Sequence, residues 1–116
     1  MRDVLLQCSG LAAIAVAVIH GALGEFKVFP RMSIEPERLR TLIRLVWQAS
    51  TVAWIGGGVL LVAAPWMQSD SARHWIVITL ACVFTFAALA NAWATRGRHF
   101  GWMALSAVVV MAVAGY

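Results

Sequence analysis

Charge is scarce in this chain. Only 12% of its 116 residues are Asp, Glu, Lys or Arg, against about a quarter in an ordinary soluble domain. Acids are the scarcest, five against nine basic residues, and none lies deep in an apolar run. That weighs against proton-coupled transport, which depends on ionisable groups at membrane depth. Cysteine is nearly absent too. Cys8 and Cys82 both sit inside apolar runs without a CxxC spacing, so they read as small apolar fillers, not a metal or redox pair. There is no G-x-S-x-G, no H-E-x-x-H and no phosphate loop. An enzyme is therefore not expected, and no catalytic or metal-ligating residue is assigned. Nucleic acid is excluded as a partner on similar grounds. The net charge is +4 and the pI about 10.1, but no RNA-binding signature and no base-reading helix accompany it.

What the chain has in abundance is apolar surface, 62% of its residues. A soluble fold of one domain's length could not hide so much, so lipid is the expected solvent. Four stretches are free of Asp, Glu, Lys and Arg: 4–24, 45–69, 74–95 and 99–116, of 21, 25, 22 and 18 residues. A helix needs about 20 apolar residues to cross about 30 Å of hydrocarbon, so three stretches suffice and the fourth is marginal. The period-2 alternation of a membrane strand is missing. The fold expected is an all-α, integral membrane, antiparallel four-helix bundle forming one domain over 1–116. Its helices fall near 4–25, 36–64, 71–95 and 98–116. Pro36 and Glu37 suit the first turn of helix 2, and Pro65 stops it. Ser69, Asp70 and Ser71 offer caps for helix 3, and Gly97 suits its end. The second and third connections are short, which predicts antiparallel neighbours on either side of them. The first connection, 26–35, is longer and carries Pro30. The first stretch is not expected to be a cleaved signal, because Arg2 is offset by Asp3 and no clean cleavage site follows.

Basic residues set the expected orientation. Lys27, Arg31, Arg38, Arg40, Arg44, Arg96 and Arg98 share one side, and only Arg2 and Arg73 lie on the other. The positive-inside rule then puts both termini outside a bacterial inner (cytoplasmic) membrane and connections 1 and 3 in the cytoplasm. Phe26, Phe29, Trp47, Trp93, Phe100 and Trp102 form a belt on the basic side, while Trp54 stands out as an aromatic residue deep in helix 2.

Small residues predict where helices approach, since lipid supplies no hydrophobic drive between them. Helix 1 has Ser9, Ala13, Ala17 and Gly21 at spacing four, and helix 2 has Ala49, Ala53 and Gly57. Those stripes are expected to pack together, with Gly21, Ala53 and Gly57 central. Gly56, Gly57 and Gly58 imply close backbone approach or a kink.

Intramembrane polar residues are costly and point to function by default. Here they gather toward the basic side: His20 and Glu25 from helix 1, Arg44 and Gln48 from helix 2, Asn91 from helix 3, and His99 at the start of helix 4. These six form the candidate binding layer. Each also has a plainer reading. His20 can bond a carbonyl or Asn91, Glu25 can pair with Arg44, Arg44 can snorkel to headgroups, Gln48 and Asn91 can join helices, and His99 can lie among headgroups.

Gln48, Trp54, Gly56 and Gly57 form a segment that resembles the His–x(5–6)–Trp–x–Gly–Gly helix of copper-resistance D-type membrane proteins. In that family the histidine implies metal or haem, whereas Gln48 stands in its place here. The segment His20 to Glu25, with Trp47 downstream, is similar to small uncharacterised four-helix bacterial membrane proteins, a resemblance that implies no activity.

The expected function is a small inner-membrane accessory or binding protein centred on the polar layer. It would act as a homo-oligomer or as a subunit of a larger membrane complex. Two alternatives stand beside it. One is a small oligomeric proton-coupled transporter or channel using His20 and Glu25. The other is a redox protein holding haem, with His20 and His99 as ligands, or a quinone.

Overall fold

The computed structural model describes all 116 residues; 86% are helical and none is in a strand. Four α-helices follow in order: α1 (Arg2–Leu23), α2 (Glu37–Ala63), α3 (Asp70–Ala94) and α4 (Gly101–Ala114). Three helical segments, Arg2–Arg31, Glu37–Met67 and Asp70–Ala94, are long and apolar enough to cross a membrane. The fourth helix is equally apolar but has 14 residues.

The helix ends follow local chemistry, with some departures from expectation. Beyond Leu23 the chain continues as a π-helical turn, Gly24–Val28, and a 3-10 turn, Phe29–Arg31. The first connection is therefore helical over its first half. Pro30 sits at the start of the 3-10 turn, where its missing N–H costs nothing. Pro36 precedes α2 as an extended cap residue, one position before the first turn it was expected to occupy. Pro65 lies in the 3-10 turn Ala64–Met67 that closes α2. Ser69 caps α3, its hydroxyl accepting from the Ala72 N–H at 3.2 Å.

The end of α3 is a Schellman motif. The Arg96 N–H donates to the Trp93 carbonyl and the Gly97 N–H to the Ala92 carbonyl. This geometry puts Arg96, at φ 52°, in the left-handed position usually given to glycine, with Gly97 at φ 73° one residue later. The two left-handed residues delay α4, which begins at Gly101 and not at residue 98.

Helix α1 packs against both α2 and α4, and α4 packs against α3. By contrast, α2 and α3 touch sparsely, between their connection and the middle of the two helices. There Gly57 faces Leu80 and Phe84, and the Trp54 ring meets Phe84 edge-on at 6.1 Å. Beyond that point the two helices part. Their short connection makes them antiparallel, but α3 is held by α4 and does not run alongside α2.

The three glycines of α2 point three ways, as successive helical residues must at 3.6 per turn. Gly56 faces open space, Gly57 faces α3, and Gly58 faces α1. The close crossing of α1 and α2 lies at Gly10 and Gly58. A Cβ on Gly58 would sit 2.6 Å from Ile14 Cγ1 and 2.7 Å from the Gly10 carbonyl oxygen. This corrects the expected packing. Gly21 does meet α2, at Thr51 and Gln48, but Ala49 and Ala53 are exposed and Gly57 serves α3. On α1 the stripe Ser9, Ala13, Ala17 and Gly21 is buried throughout. Ser9 donates to the Val108 carbonyl of α4 at 2.7 Å, a buried interhelical bond.

The core gathers toward the α2–α3 connection, around Leu6, Leu61, Val77, Phe84 and Val108. Only 22 of 116 residues are buried, so most of the apolar surface faces outward. Val52, Phe86, Leu89 and Trp93 are 66–87% exposed.

Candidate functional site

The parting of α2 and α3 leaves a crevice of about 610 Å³ at the end that carries seven of the nine basic residues. Its size falls in the range of about 300–1,000 Å³ typical of small-molecule sites. Thirteen of its 19 lining residues are hydrophobic, and none is Asp, Glu, Lys or Arg. One wall comes from α1 and α2, through His20, Trp47, Ser50 and Trp54. The other comes from α3, the following turn and α4, through Phe86, Asn91, Thr95, His99 and Phe100. Phe86 and Phe100 are 76% and 49% exposed, so the crevice opens sideways along the bundle.

His20 is fixed from several directions. Its ring stacks on Trp47 at 4.2 Å and 6° and leans on Trp54 at 4.5 Å. Its Nε2 is 3.0 Å from Ser50 Oγ, and Ser50 Oγ donates to the Trp47 carbonyl at 2.6 Å. A hydroxyl has one proton and a carbonyl can only accept, so the serine proton goes to Trp47 and Nε2 of His20 is the donor. A neutral ring then keeps a lone pair on Nδ1, which has no hydrogen-bond partner in the chain. Trp47 locks the same corner, its Nε1–H donating to the His20 carbonyl at 2.9 Å. Gly24 makes room for that indole, since a Cβ there would run into it. The π-helical turn starts at this glycine, in keeping with the tendency of such turns to occur beside sites.

On the opposite wall, His99 Nδ1 accepts from the Gly101 N–H at 3.0 Å. A neutral ring accepting there carries its proton on Nε2, which makes His99 a donor. Thr95 donates to the Asn91 carbonyl at 2.7 Å, closing the end of α3. The Asn91 side chain fares worse: its Oδ1 is buried without a partner. Each such group costs stability unless something else satisfies it.

The six residues singled out in the sequence thus divide. His20, Asn91 and His99 line the crevice together. Glu25, Arg44 and Gln48 do not reach it. They form a separate clamp that ties the end of α1 to α2. Arg44 Nε donates to Glu25 Oε1 at 3.0 Å and its second nitrogen to Oε2. Gln48 Nε2 lies 2.9 Å from Glu25 Oε1 and 3.1 Å from the Gly21 carbonyl. Two-pronged Arg–carboxylate pairing fixes orientation, but this pair is largely exposed. His20 bonds Ser50 and not Asn91.

Thr95, one turn beyond Asn91 on α3, belongs to the same polar layer in the sequence, whereas Ser50 was not anticipated as a crevice residue. Ser50 had a legible signal, since Trp47, Ser50 and Trp54 follow at spacings three and four and share a helical face.

No known protein family, characterised protein or solved structure matches the chain. The crevice is therefore read from its own chemistry.

Proposed function

We propose that the protein is a multi-pass membrane protein that binds a lipid-soluble small molecule in the crevice between α2 and α3. The observation that carries this reading is the crevice itself, apolar, open sideways, and furnished with neutral hydrogen-bonding groups on two walls. A site with that composition suits a ligand arriving from hydrocarbon. The outward-facing apolar surface supports lipid as the surrounding medium, because a water-exposed monomer rarely shows such patches. With seven basic residues against two, the crevice opens in the cytoplasmic leaflet of a bacterial-type inner membrane, and both termini lie outside.

Ligand binding, not catalysis, fits the absence of any charged group in the crevice. Proton-coupled transport is less well supported, because Glu25 is held by Arg44 and Gln48 away from His20's open face. Haem is less well supported too, because no cation lines the crevice to meet propionates. The exposed face of α2 bearing Ala49, Ala53 and Gly56 suits a second copy of the chain or a larger complex, since small residues let helices approach.

Native mass spectrometry of the protein, gently extracted from its membrane, tests the binding reading. The expected result is a mass above the bare chain that is lost in Ala90→Trp, where the indole fills the crevice. A bare chain in both forms overturns the reading. Maleimide labelling of Met32→Cys and Gln68→Cys, in a background lacking Cys8 and Cys82, tests orientation. Labelling of intact cells at position 68 alone is expected, and the reverse overturns it.

A further inference from the structure

We infer that the crevice ligand is a quinone, a planar ring bearing oxygens at both ends and carrying an isoprenoid tail. The inference rests on the crevice being a binding site and names what occupies it. Four features converge. No charged side chain lines the crevice, so the polar part of the ligand is uncharged, which excludes fatty acids and phospholipid headgroups from the interior. Aromatic rings stand on both walls, with Trp47 and Trp54 on one side and Phe86 and Phe100 on the other. These favour a planar ring over a flexible chain.

The third feature is the placement of unspent hydrogen-bonding groups. His99 offers an Nε2–H donor on the α3–α4 side, on the same wall as the unpartnered Asn91 Oδ1. His20 offers a free Nδ1 acceptor on the α1–α2 side. A ligand that uses both walls needs polar atoms at two ends of one ring. An isoprenoid alcohol has only one. A quinone accepts a hydrogen bond from His99 Nε2–H on one carbonyl oxygen. A quinol also donates a hydroxyl to His20 Nδ1, so the reduced ring engages both walls and the oxidised ring the His99 wall alone, without any charge entering the site. The fourth feature is the lateral opening past Phe86, which lets a tail of any length lie in the surrounding hydrocarbon.

The test uses the full chain in lipid nanodiscs and its own tryptophan emission, since Trp47 and Trp54 line the crevice. Short-tailed isoprenoid benzoquinone and naphthoquinone are titrated. The expected result is saturable quenching with at least one of them. It should be lost in the Trp47→Phe/Trp54→Phe double variant and shifted about tenfold to weaker binding in His99→Leu, as loss of one hydrogen bond requires. Ala90→Trp, which leaves both tryptophans and both histidines in place, should abolish saturation while the thermal unfolding midpoint stays unchanged. Quenching that never saturates, or that is the same in all variants, overturns the quinone assignment. Phosphatidylcholine brominated along its tails separates this failure from failure of the site. If it quenches Trp47 and Trp54 and quinone does not displace it, the crevice binds lipid and the quinone falls alone. If neither probe reaches these tryptophans, both readings fall.

Discussion

At the end of the bundle holding the α2–α3 connection, α1, α3 and α4 are tied to one another. Arg73 of α3 donates to Asp3 at 2.7 Å and to the Gly115 carbonyl at 2.7 Å, joining α3 to the start of α1 and the end of α4. His74 bonds the Tyr116 hydroxyl, and Gly115 packs directly on Leu6. Most of the core residues lie on this side. At the basic end the chain is tied only in pairs. Glu25, Arg44 and Gln48 bind α1 to α2, and the Schellman turn binds α3 to α4, but no hydrogen bond crosses between the pairs. The bundle joins α3 and α4 to α1 by side-chain bonds at one end and leaves its two helix pairs unjoined by them at the other, where neutral polar groups remain unspent. That is the distribution expected of a site, since a fully packed and satisfied end has nothing left to bind with.

Substitutions can break or sharpen this contrast. The largest effect is expected from Gly58→Leu. Its side chain would strike Ile14 and the Gly10 backbone, which cannot yield, and about 3 kcal/mol or more should be lost by the overpacking mechanism. Yield of folded protein and the thermal midpoint in detergent read this, and normal values would sink the assigned crossing. Next comes Arg73→Ala at the tied end, whose side chain is only 17% exposed. It should cost about 1–3 kcal/mol and loosen α4 from α1, seen as faster hydrogen exchange at 110–116. Arg96→Gly should raise stability by about 1 kcal/mol, by relieving a left-handed non-glycine residue. Glu25→Gln is expected to lower the midpoint less than Arg73→Ala, because its partner Arg44 is more than half exposed. The smallest effect on stability should come from His99→Leu, which touches the unclosed end. A fall in the midpoint as large as that of Arg73→Ala would contradict the division between the ends.

Much of the architecture was legible because lipid-sized helices leave a coarse mark. Stretches without charge marked the four helices, and Ser69 and Pro65 marked ends through chemistry local to a few residues. Other features were illegible for a physical reason. The stripe of Ala49, Ala53 and Gly57 looked like a packing face, yet small residues at spacing four say only that a helix can be approached there, not by what. The crossing point Gly10–Gly58 depends on how two helices are rotated against each other, which no single helix encodes. Arg96 took the left-handed position because the bonds to Trp93 and Ala92 fixed the turn one residue before Gly97. Within the candidate site, the gathering of polar residues at one end was readable. Its division into a clamp and a crevice was not, because Glu25 lies five residues beyond His20, more than a full turn, and sits in the π-helical turn that changes the register between the crevice and the clamp.

The shortness of α4 carries a consequence for the surrounding film. At about 1.5 Å per residue its 14 residues reach about 21 Å, some 9 Å less than a hydrocarbon layer of about 30 Å. The other three helices have no such deficit. In a bilayer the hydrocarbon beside α4 must therefore thin, or the helix must draw polar ends inward, at a cost of fractions of a kcal/mol per Å. In a bilayer that would put a one-sided dimple along α4. The protein would accordingly favour thinner membranes, with acyl-chain length acting as a dial on how strongly the film is distorted on that side.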